Sequence, residues 1–189
     1  AVPTRPSSPI PTMAPLNFLL SHLPSPQGGI LLLGGEQQRL RALDWQGYEA
    51  RMALLMRRQY PRDAVQMHSS TAVPAPVADA LAAYFDGELR ALDRLALALG
   101  GTDFQRQVWT ALRAIPAGST RSYASLATQI GRPAAVRALG MANGANPISI
   151  VLPCHRVVGS DASLTGYAGG LARKQWLLAH ETRHSKKPA

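Results

Sequence analysis

The sequence is poor in several features whose absence excludes whole classes of protein. It has one cysteine, Cys154, which rules out an intrachain disulfide and any zinc site built from several cysteines. No uninterrupted apolar run approaches the roughly 18 residues that a membrane-spanning helix needs, so a membrane-spanning protein is excluded. Only 16% of the 189 residues are charged and 46% are apolar, which is enough apolar material for the core of one domain or two small ones.

The two ends of the chain contain little that could fold. Residues 1–15 hold five prolines, which cannot donate to helix or sheet ladders, and they lack the continuous apolar segment of a secretory signal. We therefore predict a disordered lead-in over 1–15, a polar tail over 184–189 and a cytoplasmic location.

Charge is scarce, and it is unevenly distributed. Residues 1–100 hold nine lysines and arginines against eight acidic residues, whereas residues 101–189 hold eleven against three. Nearly all of the net charge of +9 thus lies in the second half. This asymmetry favours a polyanionic partner, most often a nucleic acid, although many basic proteins bind no polyanion.

The pattern over residues 16–99 predicts a small α/β domain. Three apolar or alternating runs, separated by turn residues, are typical of antiparallel strands and lie at 16–23, 29–34 and 39–45. Apolar residues then recur at helical spacing from Tyr48 to Met56, and again after Pro76, which can occupy the first position of a helix. The glycine pair at 100 and 101 marks the domain boundary.

The pattern over residues 101–183 predicts a second, mainly helical domain. Thr102 and Gln105 have the spacing of a capping box and open a helix that Pro116 ends. Further helices are predicted over 123–130, from 133 onward and over 171–181. The middle two are short and closely joined, which is the outline of a helix-turn-helix, a DNA-binding motif.

The helix predicted from residue 133 carries many small residues around a single arginine, Arg137. The small residues are Ala134, Ala135, Ala138, Gly140, Ala142 and Gly144. They permit close packing on a neighbouring helix, and equally permit close approach to DNA with Arg137 projecting into it. The pattern alone leaves both interpretations open.

Cys154 is the candidate nucleophile. It follows an apolar run, 148–152, which we predict to be an extended strand, and it opens a polar loop with His155 and Arg156. Neighbouring cations lower the pKa of a thiol, and a base oriented by a carboxylate such as Glu181 is the general form of an activated nucleophile. A lone cysteine is more often a small buried apolar residue, so a structural role also stays open.

A competing motif near residue 180 suggests zinc. His180, Glu181 and His184 match the HExxH pattern of zinc hydrolases. A catalytic zinc site uses three protein ligands, and the polar residues after His184 offer no third ligand. We therefore predict no metal.

Five longer segments together carry a specific resemblance. They are GTDFQRQVW (101–109), IPAGSTRSYASLA (115–127), IGRPAAVRALGMANGANPISIVLPCHRVVG (130–159), LTGYAGG (164–170) and RKQWLLAHE (173–181). In this order they resemble the O6-alkylguanine-DNA alkyltransferases, continuously over about residues 101–181. Residues 16–99 are similar to the shorter bacterial members in layout. The resemblance implies a ribonuclease-H-like α/β domain with a small antiparallel sheet, followed by a mainly α domain whose helix-turn-helix binds the minor groove.

The resemblance also implies a reaction. Members of this family repair O6-alkylguanine in DNA by direct reversal, and O4-alkylthymine is a further expected substrate. The damaged base is flipped out of the duplex, and its alkyl group moves irreversibly to the protein's own cysteine. The expected partner is double-stranded DNA; a monomer is expected, with no cofactor and no obligatory protein partner.

Five positions match the family's catalytic residues. Cys154 matches the alkyl acceptor, His155 the base that takes its proton through water, and Glu181 the carboxylate that orients the histidine. Asn146 matches the hinge between the helix-turn-helix and the active-site loop, and Tyr123 matches the donor to the flipped guanine.

Other positions match the family's binding residues. Arg137 matches the finger that fills the gap in the duplex, and the same helix presents Ala135, Ala138 and Gly140 to DNA. The resemblance and the loop around them place Tyr167, Ser149 and Gly169 at the substrate pocket.

The chain departs from the family's pattern at Asp161 and Ala162, where relatives commonly have a turn that ends in glycine. We expect a wider turn, or a strained one if Ala162 takes a positive φ. Residues 1–15 have no family counterpart, and the cysteines of the zinc site that some relatives carry are missing. Two alternatives stay open: a non-catalytic lesion binder, in which tryptophan usually replaces the cysteine, and a transcriptional regulator, which would need a further sensor domain.

Overall fold

A four-stranded sheet lies at the centre of the first half of the chain. The computed structural model describes residues 14–61 and 64–185; most of the predicted lead-in and the end of the predicted tail lie outside these ranges. The strands are β1 (Leu16–Leu23), β2 (Ile30–Gly34), β3 (Leu40–Trp45) and β4 (Val65–Ser69), in the order β3-β2-β1-β4.

The three predicted antiparallel strands are confirmed, and the sheet has one strand more. β4 was not predicted, and it pairs with β1 in parallel, so the sheet is mixed. The sequence of β4, VQMHS, is short and has no buried residue, which leaves little apolar signal for a strand.

Two helices cover opposite faces of the sheet. Successive strand residues point to opposite faces, so Leu31 and Leu33 of β2 pack with α1 (Glu49–Gln59), whereas Ile30 and Leu32 share a core with α2 (Ala75–Phe85). Both helices were predicted, although α2 begins at Ala75, one residue before the proline expected to open it.

The second half is mainly helical, as predicted. Its helices are α3 (Asp103–Arg113), α4 (Tyr123–Gln129), α5 (Val136–Gly144) and α6 (Leu171–Ser185), and two short strands, β5 (Arg121–Ser122) and β6 (Val157–Val158), pair in parallel. The capping box is confirmed: Gln105 N donates to Thr102 Oγ1 at 3.1 Å, and Thr102 N donates to Gln105 Oε1 at 2.9 Å. Among the helices of the described ranges, none is long and apolar enough to cross a membrane.

Three local predictions in the second half are wrong. α5 begins at Val136 rather than Pro133, because Ala135 N bonds back to Arg132 O and closes a turn first. α6 continues past its predicted end at Glu181. The run 148–152 is a tight turn instead of a strand: Ile148 bridges to β3, and Leu152 N then donates to Ile148 O at 2.9 Å.

One hydrophobic core joins the two halves. Trp45 and Tyr84 from the first half and Trp109 and Leu177 from the second belong to the same buried cluster, and each is 0% exposed. Cys154 lies in this cluster, so residues from both halves surround the candidate nucleophile.

Candidate active site

Cys154 opens a buried 3-10 turn, Cys154–Arg156, between the end of α5 and β6. The polar loop predicted here is wrong in one respect, since residues 151–158 are all buried. Cys154 itself is 5% exposed and His155 is 0% exposed. The polar side chains of this segment therefore lie inside the protein rather than in water.

Asn146 fixes the turn that precedes Cys154. Its Nδ2 donates to Leu152 O at 2.7 Å, and its Oδ1 accepts from Ile148 N at 2.9 Å. Within this turn Ile150 has φ +70°, a left-handed conformation that a β-branched residue rarely adopts. The two Asn146 bonds thus tie the end of α5 to a strained turn directly before the thiol.

A buried network links His155 to α6. His155 Nε2 lies 2.8 Å from Glu181 Oε1. The guanidinium of Arg156 grips both carboxylate oxygens, with Nη2 2.8 Å from Oε1 and Nε 2.9 Å from Oε2. Tyr84, from α2, donates to the same Oε1 at 2.8 Å. Glu181 lies 27 residues after Cys154 in the sequence. The fold thus brings the three predicted residues Cys154, His155 and Glu181 into one site.

The network sets the charges of Glu181 and His155. Burial opposes ionisation of Glu181, but the hydrogen bonds from His155 and Arg156 and the positive charge of Arg156 outweigh it and hold the pKa of Glu181 well below its usual range. Burial lowers the pKa of His155, and the neighbouring Glu181 only partly offsets this. At neutral pH the pair is a neutral imidazole beside a carboxylate.

The thiol is not activated in the way the sequence suggests. Burial raises the pKa of Cys154; the hydrogen bond with Asn146 and the more distant charges of Arg51 and Lys174 act against this without reversing it. The prediction that the adjacent cations lower the pKa of Cys154 is wrong, because Arg156 is ion-paired with Glu181 and His155 is neutral. The resting form of Cys154 at neutral pH is the thiol.

Two tyrosines lie close enough to Cys154 for its charge to affect their pKa. Burial raises the pKa of half-buried Tyr123, and the charge of Cys154 adds to this. Burial also raises the pKa of Tyr167, whose hydroxyl accepts from Trp45 Nε1 at 3.3 Å. Both are therefore neutral donors at physiological pH.

The two other predicted pocket residues sit against the first half of the chain. Ser149 is 1% exposed, and its backbone N–H donates to Leu43 O of β3 at 2.9 Å. A Cβ added to Gly169 would lie 2.3 Å from Trp45 Nε1, so this position tolerates only glycine.

Lys174 closes the loop between β6 and α6. Its fully buried ammonium group donates to Val157 O at 2.6 Å and to Thr165 O at 2.8 Å. The turn within this loop is strained as anticipated: Ala162 has φ +62°, and its N–H donates to Gly159 O at 2.9 Å.

The exposed face of α5 carries the predicted DNA-binding residues. Arg137 and Ala138 are exposed, whereas Ala135 and Gly140 are partly buried. A Cβ on Gly140 would lie 3.9 Å from the Tyr123 ring, which places this part of α5 beside Tyr123. Met141 follows Arg137 by one turn and is 73% exposed, an apolar side chain on that face that sequence reasoning did not single out.

The HExxH residues are engaged elsewhere. His180 Nε2 bonds to Tyr84 O and His184 Nδ1 to His180 O, both at 2.8 Å, and Glu181 belongs to the His155 network. Across residues 14–61 and 64–185, no group of three histidine, cysteine or acidic residues is arranged to hold a metal ion.

Sequence reasoning missed the partners that hold the site together. The sequence shows Arg156 only as a neighbour of the thiol, and it gives no local signal that Tyr84, Trp45 and Lys174 belong to the site. Tyr84 precedes Glu181 by 97 residues, and no local pattern signals such a contact. The spacing of Met141 from Arg137 could have been read from helical periodicity.

Family models match both halves of the chain. Residues 19–99 match the 6-O-methylguanine DNA methyltransferase ribonuclease-like domain, and residues 103–183 match the 6-O-methylguanine DNA methyltransferase DNA-binding domain. These matches define a two-domain DNA-binding protein with its buried cysteine in the DNA-binding half.

Individual relatives extend these matches over most of the chain. A methylated-DNA–protein-cysteine methyltransferase of Salmonella typhimurium is 51% identical over 166 residues, covering 88% of this chain and 96% of the relative. One of Methanosarcina barkeri is 46% identical, covering 83% and 92%. The crystal structure of Mycobacterium tuberculosis OGT in complex with DNA is 40% identical with a TM-score of 0.73, covering 88% and 94%. The chain belongs to the O6-alkylguanine-DNA alkyltransferase family.

Proposed function

We propose that Cys154 is the residue at which this chain carries out its family's reaction, the irreversible transfer of an alkyl group from guanine O6 in DNA to a protein cysteine. The chain is a methylated-DNA–protein-cysteine methyltransferase that acts in direct-reversal repair, as its family membership states. The observation that carries the residue assignment is the position of its one cysteine directly before a neutral histidine paired with an ionised carboxylate.

The network supplies a base for the thiol proton. An ionised Glu181 accepts the Nε2 proton of His155, which leaves a lone pair on Nδ1. Within the described residues that Nδ1 is buried without a hydrogen-bond partner. The thiol proton passes to Nδ1 through a water molecule while Sγ attacks the alkyl carbon.

The leaving base also needs a proton. As the S–C bond forms, the C–O6 bond breaks and its electron pair stays on guanine. Tyr123 donates a hydrogen bond that stabilises the developing anion, and the proton that the thiol gave to His155 returns through water to give neutral guanine. The product is a thioether, a very poor leaving group, so each protein molecule reacts once. The atoms balance without a cofactor.

The exposed face of α5 is the DNA surface in this proposal. Arg137 enters the minor groove and fills the space of the flipped base, while Ala135, Ala138 and Gly140 allow the helix to approach. O4-alkylthymine is proposed as a second substrate. We propose that the protein acts as a monomer in the cytoplasm, without an obligatory protein partner.

Mass spectrometry of the intact protein and of its peptides tests the assignment. After mixing with a duplex that contains one O6-methylguanine, we expect one methyl group on the Cys154 peptide, saturating at one per protein. Cys154→Ala should gain no mass and still bind the duplex. Lesion binding without a mass gain in the wild type would instead support a non-catalytic binder, and sequence-specific affinity would support a regulator.

Arg137→Ala tests the DNA face. Its transfer rate from duplex should fall, whereas its reaction with the free base O6-benzylguanine should be unchanged, because the free base needs no flipping. Equal losses on both substrates would contradict the role of Arg137.

A further inference from the structure

We infer that Tyr84, from the first half of the chain, is a positioning residue for the reaction: its hydrogen bond to Glu181 keeps His155 neutral and therefore able to accept the thiol proton. This inference deepens the proposed function and rests on it. Neither family membership nor the sequence assigns a role to Tyr84.

Tyr84 Oη contacts the carboxylate oxygen that faces the histidine. Oε1 of Glu181 accepts from Tyr84, from His155 and from Arg156 Nη2, each at 2.8 Å. Oε2 accepts from Arg156 Nε at 2.9 Å and from Gly118 N at 3.4 Å. Tyr84 and His155 thus compete for the same oxygen.

The geometry leaves Tyr84 a single role toward this oxygen. Tyr84 and Glu181 are both 0% exposed, so no bulk water replaces the bond. Burial and the charge of Glu181 keep the pKa of Tyr84 well above its usual value, so the phenol is always the donor. Its backbone is held as well, because His180 Nε2 bonds to Tyr84 O at 2.8 Å.

Competition for Oε1 controls the protonation of His155. The charged and titratable groups around His155 are Glu181, Arg156, Lys174 and the thiol of Cys154. Of these, Glu181 alone favours the imidazolium while the thiol is protonated. A donor that shares the charge on Oε1 weakens this effect, and removing the donor concentrates the charge toward His155. Loss of the Tyr84 hydroxyl should therefore raise the pKa of His155.

Tyr84→Phe removes one oxygen and keeps the ring. We measure single-turnover transfer from an O6-methylguanine duplex between pH 5 and 9, with protein in excess. The acid limb of the profile should move up by about one pH unit, so that the rate falls by up to about tenfold at the acid end and is nearly unchanged at pH 8.5. A loss that is uniform in pH, or no loss, would overturn the inference.

Phe85→Leu is the matched control. Phe85 is the next residue of α2 and packs against Trp176, His180 and the ring of Tyr84 itself, but it donates nothing to Glu181. It should lose stability without moving the acid limb, and an equal shift in Phe85→Leu would assign the effect to packing. A stronger donor, 3-fluorotyrosine at position 84, should move the limb in the opposite direction and keeps the test valid if Tyr84→Phe folds poorly.

NMR titration of His155 separates this inference from the proposed function. If the wild type alkylates no cysteine, the proposed function fails, yet the pKa of His155 can still be compared between wild type and Tyr84→Phe. A higher pKa in the variant supports the positioning role, and an unchanged pKa refutes it whatever the protein's reaction.

Discussion

Asp44 and Glu181 are both buried carboxylates, one in each half of the chain, and their pKa values move in opposite directions. Burial raises the pKa of Asp44, although Arg51 Nη1 lies 2.5 Å from it and Trp45 N donates to it at 2.9 Å. The pKa of Glu181 is lowered instead, because its carboxylate accepts hydrogen bonds from a buried arginine, a histidine and a tyrosine, which outweigh the effect of burial. The number of donors, more than depth, decides which carboxylate is held ionised.

The difference matches two tasks. Arg51 binds Asp44 and also donates to the carbonyl oxygens of Gly144 and Asn146, so the Asp44 pair anchors one half of the chain to the other. The Glu181 network is closed to solvent and adjoins the thiol. One carboxylate holds the halves together, and the other sets the charge of the proposed base.

Removing the Glu181 charge should have the largest effect. Glu181→Gln leaves Arg156 buried without its counter-charge, so the free energy of unfolding should fall by about 3–5 kcal/mol. Transfer to Cys154 should fall with it. Urea unfolding measures the first effect, with Asp103→Asn as the control, because Asp103 is an almost fully exposed carboxylate of the same half. If Glu181→Gln lowered the free energy of unfolding no more than Asp103→Asn does, the distinction drawn between Glu181 and Asp44 would be wrong.

Asp44→Asn should lower the free energy of unfolding by less than Glu181→Gln does, about 1–2 kcal/mol. The raised pKa of Asp44 means that its charge is held only weakly, and Arg51 keeps its bonds to Gly144 and Asn146. Parallel urea curves for the two variants check the order. A cost equal to that of Glu181→Gln would mean that depth, not donor number, decides the stability.

As pH falls, the contributions of Glu181 and Asp44 to the free energy of unfolding should change in opposite directions. The pKa of Glu181 is lowered on folding, so its stabilisation is complete above its usual value of 4.5 and is lost as pH falls below it. The pKa of Asp44 is raised, so its protonation favours the folded state as pH falls. Between pH 5 and 3, the stability of Glu181→Gln should fall less steeply than that of the wild type, and that of Asp44→Asn more steeply. Equal slopes in urea unfolding would contradict both directions.

The smallest expected effect concerns backbone strain. Non-glycine residues with positive φ lie at Gln37 and Gln38 in the first half, far from the thiol in sequence, and at Ile150 and Ala162 on either side of Cys154 in the second. Ala162→Gly should raise the stability by about 0.5–1 kcal/mol, because glycine adopts this conformation without strain. Ala168→Gly, in the same loop at an ordinary φ, should not raise the stability. If both variants were stabilised equally, relief of strain at Ala162 would be ruled out.

The sequence was sufficient where the signal is local. The three apolar or alternating strand runs, the capping box at Thr102 and the pair of helices around Gly131 depend on neighbouring residues, and these predictions are confirmed apart from the start of α5. The run 148–152 was mistaken for a strand, because a short apolar segment has no periodicity that separates a strand from a buried turn.

The site was predictable as a set of residues but not as a charge state. The resemblance named Cys154, His155 and Glu181, whereas the direction of the Cys154 pKa depends on burial that no sequence neighbour reveals. The bonds of Tyr84 to Glu181 and of Trp45 to Tyr167 join residues 97 and 122 positions apart. Such contacts exist only once both halves have folded against each other.

The shared core has a consequence for how the protein unfolds. Two family models divide the chain near residue 100, yet Leu43 pairs with Ile148, Trp45 and Trp109 belong to one buried cluster, and Arg51 donates to Gly144 O at the end of α5. Separating the halves would expose this apolar surface and leave buried polar groups without partners, so neither half has an independent equilibrium. The chain should therefore lose its β-sheet and its helices in one cooperative transition. A destabilising substitution in either half should lower the midpoint of unfolding of both halves equally.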